Sequence, residues 1–257
     1  MTTRKPKETA GFHLFVGIDW SGAKGGHHKG IQVASFGAED CSPTLVQPSD
    51  SRGWSREEVM DWLKQQAENK RVLAGIDFAF AHPFRNKEGY YPKYQGTPPD
   101  NPAALWVMVD EICKGDRHLY GGGIWGDDQL RDYYNAPQKK NGDGGKGRWY
   151  ESCRRLTEIT AKELHKRSQS PTFNCVGPAA VGTGSLAGMR LLHHFKSKSG
   201  ARIWPFDKAD HNLTLVEIFP ALYFKMAGIS DKAKKSDPLA ALNQGLSHFG
   251  SSAITNV

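Results

Sequence analysis

The sequence predicts an α/β fold: a mixed sheet flanked by helices and interrupted by a long irregular insertion. Three observations carry that expectation. Apolar runs of strand length, "LFVGID", "RVLAGIDFAF" and "LTLVEIF", recur along the chain, and such runs suit strands covered on both faces of a sheet. Helical patterns lie between them, the alternation that builds parallel strands. The first two runs break at an acid, Asp19 and Asp77, and the third carries Glu217 within it.

The elements follow in order. "FHLFVGID", "GIQVASFG" and "SPTLVQPS" read as three strands bounded by turn residues, hence a meander. "WSREEVMDWLKQQAENK" reads as a helix, with Ser55 as N-cap, acids in the first turn, and Val59, Met60, Trp62 and Leu63 on its apolar stripe. It runs directly into "RVLAGIDFAF", the fourth strand. Residues 81–149 are crowded with aromatics, Pro and Gly, and only "AALWVMVDEICKG" looks helical there. A segment so long and irregular is expected to be an insertion forming a wall or lid over the strand ends.

Beyond it, "YESCRRLTEITAKELHKR" has near-helical spacing, and "VGTGSLAGMRLLHHFKS" gives a Gly-rich turn and a helix starting near Ser185. "ARIWPFD" and "NLTLVEIFP" read as strands, and "ALYFKMAG" as a short helix stopped by Gly228. "SDPLAALNQGLSHFG" closes the series as a helix capped by Ser236, with Pro238 in its first turn. No internal repeat or heptad pattern is found. The expected organisation is one domain over 12–257, with 81–149 as its insertion, after a disordered basic tail over 1–11.

Composition narrows the class. The chain has 257 residues, 38% hydrophobic and 24% charged, with 28 Gly and 14 Pro, which suits a folded, loop-rich protein. No apolar run approaches the roughly 20 residues of a membrane helix. The opening "MTTRKPKETAGF" lacks the apolar centre of a secretory signal, so a cytoplasmic location and no membrane partner are expected. Cys41, Cys113, Cys153 and Cys175 are scattered without metal-ligand spacing, which argues against zinc or a disulfide framework. A net charge of +7 favours polyanionic partners, nucleic acid among them.

The acids carry the chemistry. In an open α/β sheet, ligands bind at the carboxyl ends of the strands. If the strands ending in Asp19, Asp77 and Glu217 are parallel neighbours, three carboxylates meet. Such a cluster repels itself and is tolerated when Mg²⁺ or Mn²⁺ neutralises it. Two such ions can activate a water and stabilise the leaving oxygen of a phosphodiester. The plainer reading of each acid alone is a turn former or helix cap. Glu217 resists that reading, because an unpaired carboxylate within an apolar run is costly to bury.

"VGIDWSGAKGG", "LAGIDFAF", "RRLTE" followed by "VGTGSLAGMRLL", and "VEIFPALYFKMAG" together resemble the successive motifs of an uncharacterised, mainly prokaryotic family described as a predicted nuclease of ribonuclease H-like fold (domain of unknown function 429). The resemblance spans most of the chain outside the insertion. It implies a mixed five-stranded sheet, three strands antiparallel and the others parallel, flanked by helices. It also implies that Asp19 and Asp77 are the acids of the first and fourth strands, and that Glu217 opens a Glu-x-x-Pro motif. The family pattern then ends in a helix with an acidic Asp-Ala signature. This sequence reaches "SSAITNV" without one, so the chain is read as cut short, diverged, or using Asp237 in that place.

Further candidates have plainer counterparts. "VGTGSLAG" is a candidate phosphate cradle capped by Ser185, though close helix packing explains its glycines equally well. Arg154 and Arg155, with Glu158 one turn on, are candidate phosphate ligands or a surface ion pair. Lys24 lies near Asp19 as a further substrate-binding candidate. His27 and His28, just after Asp19 in "GGHHKG", are candidates to touch substrate or metal, with solvation in a Gly-rich turn as the plainer reading, and His82 is expected to shape the loop leaving Asp77. Trp125, Tyr133, Tyr134, Trp149 and Tyr150, interleaved with Lys139, Lys140, Lys146 and Arg148, suit either a single-strand stacking surface or the pinning of loops to a core.

The leading expectation is a divalent-metal-dependent nuclease using Asp19, Asp77 and Glu217 as ligands. The alternative is a catalytically inactive nucleic-acid or nucleotide-binding module of the same fold. An ATP phosphotransferase of actin-like fold is disfavoured, because Phe-Ala-Phe follows Asp77 in place of a phosphate-binding glycine hairpin.

Overall fold

The structure is a computed structural model. It describes residues 11–39, 43–84, 89–137, 145–166, 169–177, 180–198, 200–230 and 236–249. Residues 1–10 of the tail, Cys41, Lys139 and Lys140 lie outside these residues.

A mixed six-stranded sheet organises the chain. Strands β1 (Leu14–Asp19), β2 (Gln32–Gly37) and β3 (Thr44–Val46) form the antiparallel meander. β4 (Val72–Ile76) joins the other side of β1 in parallel. After the short β5 (Asn135–Ala136) and β6 (Gly145–Lys146), which pair with each other outside the main sheet, come β7 (Arg202–Trp204) and β8 (Leu213–Glu217). The main sheet runs β3-β2-β1-β4-β8-β7, with β4, β8 and β7 parallel. The sheet thus has six strands where the family resemblance implies five, and all six, the edge strand "RIW" included, fall within runs that the sequence marks as strands.

Helix α1 (Arg56–Ala67) begins as its sequence dictates. Ser55 accepts from the Glu58 backbone N–H and the Glu58 side chain reaches back to Ser55, a reciprocal capping box. Val59, Met60 and Leu63 are buried, and Arg56 is buried with them. α2 (Pro102–Ile112), capped by Asn101, packs on α4 (Gly182–Lys198), which follows α3 (Leu156–His165). α5 (Pro220–Met226) and α6 (Pro238–His248) complete the chain. Two caps differ from expectation. Asp237, not Ser236, caps α6 by accepting from the Ala240 N–H. Ser185 lies within α4, donating to the Val181 carbonyl, and is buried.

The insertion is less a lid than part of the core. Tyr91, Trp106, Ile124, Trp125, Tyr133 and Tyr134 are buried in one cluster with Ile18 and Ile76 of the sheet. A buried chain of hydroxyls and imidazole ties it down: Tyr91 to Tyr134 at 2.6 Å, Tyr134 to His82 at 2.8 Å, and His82 to Thr172 at 2.8 Å. Burial and the nearby Arg155 charge push the His82 pKa down to about 3, so the ring is neutral there. No helix of the described residues is long and apolar enough to cross a membrane.

Candidate active site at the carboxyl ends of β1, β4 and β8

Because β1, β4 and β8 are parallel neighbours, their carboxyl ends share one edge. Ile18 pairs with Ile76, and the Asp77 N–H donates to the Ile18 carbonyl at 2.9 Å. Asp19 and Asp77 thus stand level, one residue beyond that pair, and both line a cavity of about 750 Å³. Glu217 is offset. It pairs with Ile76 rather than Asp77, so pleat alternation turns it from the face that the two aspartates share. It lines the neighbouring cavity instead.

The loop leaving β1 is fixed from below. The buried Arg56 guanidinium donates to the Ser21 carbonyl at 2.9 and 3.1 Å, to Ala23 at 2.7 Å and to His118 at 2.6 Å. Trp20 Nε1 donates to the Gly184 carbonyl at 3.2 Å. Gly22 meets the start of α4 so closely that a Cβ there would stand 2.2 Å from the Gly184 nitrogen. The first turn of a helix, whose leading N–H groups have no acceptor within it, is thereby held beside the two aspartates. Thr183 and Gly184 of that turn line the cavity, as do Lys162 and Lys166 at the end of α3.

Burial drives the Asp77 pKa up to about 6, helped by the charges of Asp19 and Glu217. Asp19 is more exposed. Burial of the remainder still raises its pKa against a hydrogen bond from the Trp20 backbone. Among the described residues neither aspartate is ion-paired. Paired carboxylates of this kind, raised and uncompensated, favour a cation between them. They fit Mg²⁺ in one respect: that ion is commonly held by one or two carboxylates and completes its shell with water and phosphate oxygens. The described residues contain no group of three or more His, Cys, Asp or Glu placed to hold a metal.

Glu217 is held by Arg155. Nη1 and Nη2 of Arg155 donate to its two oxygens at 2.7 and 2.5 Å, and the Phe80 N–H donates to Oε2 at 3.0 Å. Arg155 Nε also donates to Glu158 at 2.9 Å, and Glu158 is only 1% exposed. Burial alone would lower the Arg155 pKa, but hydrogen bonds and charges from both glutamates raise it. Burial raises that of Glu158, opposed by Arg155. The Arg155–Glu158 pair is a buried i, i+3 contact joined to a second acid, not a surface pair, and the guanidinium is engaged.

The other candidates disperse. Arg154 lines the Glu217 cavity, its Nε 3.4 Å from the Gln169 carbonyl. Lys24 is exposed on the turn whose neighbours Gly22 and Ala23 line the aspartate cavity. His28 is buried rather than solvated, and His27 meets the Gly53 carbonyl at 3.1 Å. Trp125, Tyr133 and Tyr134 pin the insertion to the core. Trp149 and Tyr150 lie partly buried beneath Arg148 and Lys146, with centroid distances of 5.1 and 5.9 Å. Lys162 and Lys166 were absent from the sequence candidates. Their i, i+4 spacing, which sets both on one helical side, was the available signal.

No family model, curated protein or solved structure matches the chain.

Proposed function

We propose that the chain is a divalent-metal-dependent phosphodiesterase acting on nucleic acid, in line with its resemblance to ribonuclease H-like predicted nucleases. One observation carries the reading. Asp19 and Asp77 stand level on adjacent parallel strands, unpaired among the described residues, in a cavity that also holds two lysines and a helix start. Mg²⁺ or Mn²⁺, when bound, supplies charge neutralisation and water activation at such a pair. Asp19 and Asp77 supply carboxylate oxygens. Lys162, Lys166 and the first turn of α4 supply positive potential for a phosphate. Arg56 holds the Asp19 loop in place.

A second reading is favoured by the Arg155–Glu217 pair. With Glu217 held outside the aspartate cavity, two acids remain, and a module of the same fold that binds nucleic acid without cutting it is consistent with that set. The readings separate on a labelled oligonucleotide incubated with Mn²⁺. Cleavage by the parent chain, lost in Asp19→Asn and in EDTA, supports the phosphodiesterase. Salt-sensitive binding with no metal-dependent product supports the module.

A further inference from the structure

A second cavity of about 770 Å³ adjoins the aspartate cavity, and Gln169, Ile218 and Phe219 line both. The six exposed aromatic residues among the large hydrophobics described are Phe36, Phe84, Trp204, Phe206, Tyr223 and Phe249. Four of them, Phe84, Trp204, Phe206 and Tyr223, line this one cleft. Trp204 is 52% and Tyr223 51% exposed, so their rings remain accessible where core aromatics of the insertion are not. Arg154 lies in the same cleft, and no described acid pairs with it.

We propose that this cleft is a stacking subsite for an unpaired nucleobase, which makes single-stranded nucleic acid the substrate class. The proposal rests on the phosphodiesterase reading for the position of the phosphate. A strand with one phosphate at Asp19 and Asp77 passes its neighbouring nucleotide over Ile218 and Phe219 into the cleft. The aromatic rings offer π-faces, which any base can use, and Arg154 offers a cation to the backbone. Bases within a duplex are already stacked and paired, so entry from a duplex requires extrusion. The net charge of +7 favours a polyanion over an acidic-poor peptide as occupant.

Fluorescence anisotropy tests this on the full chain in Ca²⁺, a hard cation that carboxylate oxygens hold and that neutralises the aspartates in place of Mg²⁺. The probe is a fluorescein-labelled single strand of about ten nucleotides, within the site sizes of single-strand binders, and the same strand annealed to its complement. The single strand should bind about tenfold more tightly than the duplex. Trp204→Ala should weaken single-strand binding by about tenfold with an unchanged Tm, within the span of measured stacking losses. Trp204→Phe should retain most of the affinity, and Tyr223→Ala serves as the second variant should Trp204→Ala fold poorly. Equal affinity for both probes, or parent-like binding by a folded Trp204→Ala chain, overturns the subsite. Single-strand preference without Mn²⁺-dependent cleavage sinks the phosphodiesterase alone. Cleavage without that preference sinks the subsite alone.

Discussion

Asp19 and Asp77 are joined through the backbone that carries them: the Asp77 N–H donates to the carbonyl of Ile18, the residue before Asp19, at 2.9 Å. Two carboxylates are thereby fixed level on neighbouring strands, and their mutual charge is part of what raises Asp77. The consequences are measurable without knowing the substrate.

The first concerns pH. Folded Asp77 holds its proton up to about pH 6, whereas an ordinary Asp gives it up near 3.8. Between those values the native state binds more protons than the unfolded state, so this group lowers stability as pH rises through that window. In EDTA, Asp77→Asn should be more stable than the parent at pH 7 by about 1–2 kcal/mol, after discounting the shift for solvent screening. The difference should vanish near pH 3.5. Urea denaturation at the two values checks this, and a parent more stable than the variant at pH 7 contradicts it.

A second concerns the buried ion network. Arg155 compensates Glu217 and the almost fully buried Glu158. Arg155→Ala leaves a buried carboxylate without its partner and should cost about 3–5 kcal/mol. Chemical denaturation reads the loss directly, and a cost below about 1 kcal/mol would show that Glu158 finds water or another partner.

A third concerns the loop beneath Asp19. Arg56 is fully buried and donates to three carbonyls. Arg56→Ala should destabilise by about 2–4 kcal/mol through unsatisfied carbonyls and an unfilled volume. Hydrogen exchange should rise most around Trp20–Ala23, while uniform exchange across the chain would argue against local positioning.

Gly22 gives a fourth. A methyl group there would overlap the Gly184 backbone, which no side-chain rotation relieves. Gly22→Ala should cost about 1–3 kcal/mol, typical of forced overpacking, and should move the start of α4 away from Asp19. A crystal structure of the variant with α4 in place would refute the close approach.

Much of this arrangement was legible in the sequence. The apolar runs before Asp19 and Asp77 marked buried strands, and Ser55 with Glu58 marked the start of α1. The orientation of Glu217 was not legible. It depends on a register in which Ile76, not Asp77, lies opposite Glu217, and a one-residue offset between strands reverses the face a side chain occupies. No single strand encodes that offset. The aromatics of the insertion were ambiguous for another reason: core packing and base stacking use the same residue types, and only burial separates Tyr133 and Tyr134 from Trp204 and Tyr223. Ser185 looked like a cap because α4 was placed three residues late; its actual start at Gly182 puts that hydroxyl one turn inside the helix.

Thermal unfolding with Mn²⁺ asks whether Asp19 and Asp77 together hold a divalent ion. An ion at 100 times its Kd adds about 2.7 kcal/mol to native stability, roughly 5–10 °C in Tm for a chain of this size. Such an upward shift is expected at pH 7.5 for the parent, a smaller one at pH 5 where Asp77 keeps its proton, and none for Asp19→Asn. A parent Tm unmoved by saturating Mn²⁺, or an equal shift in Asp19→Asn, would contradict an ion held by the two aspartates.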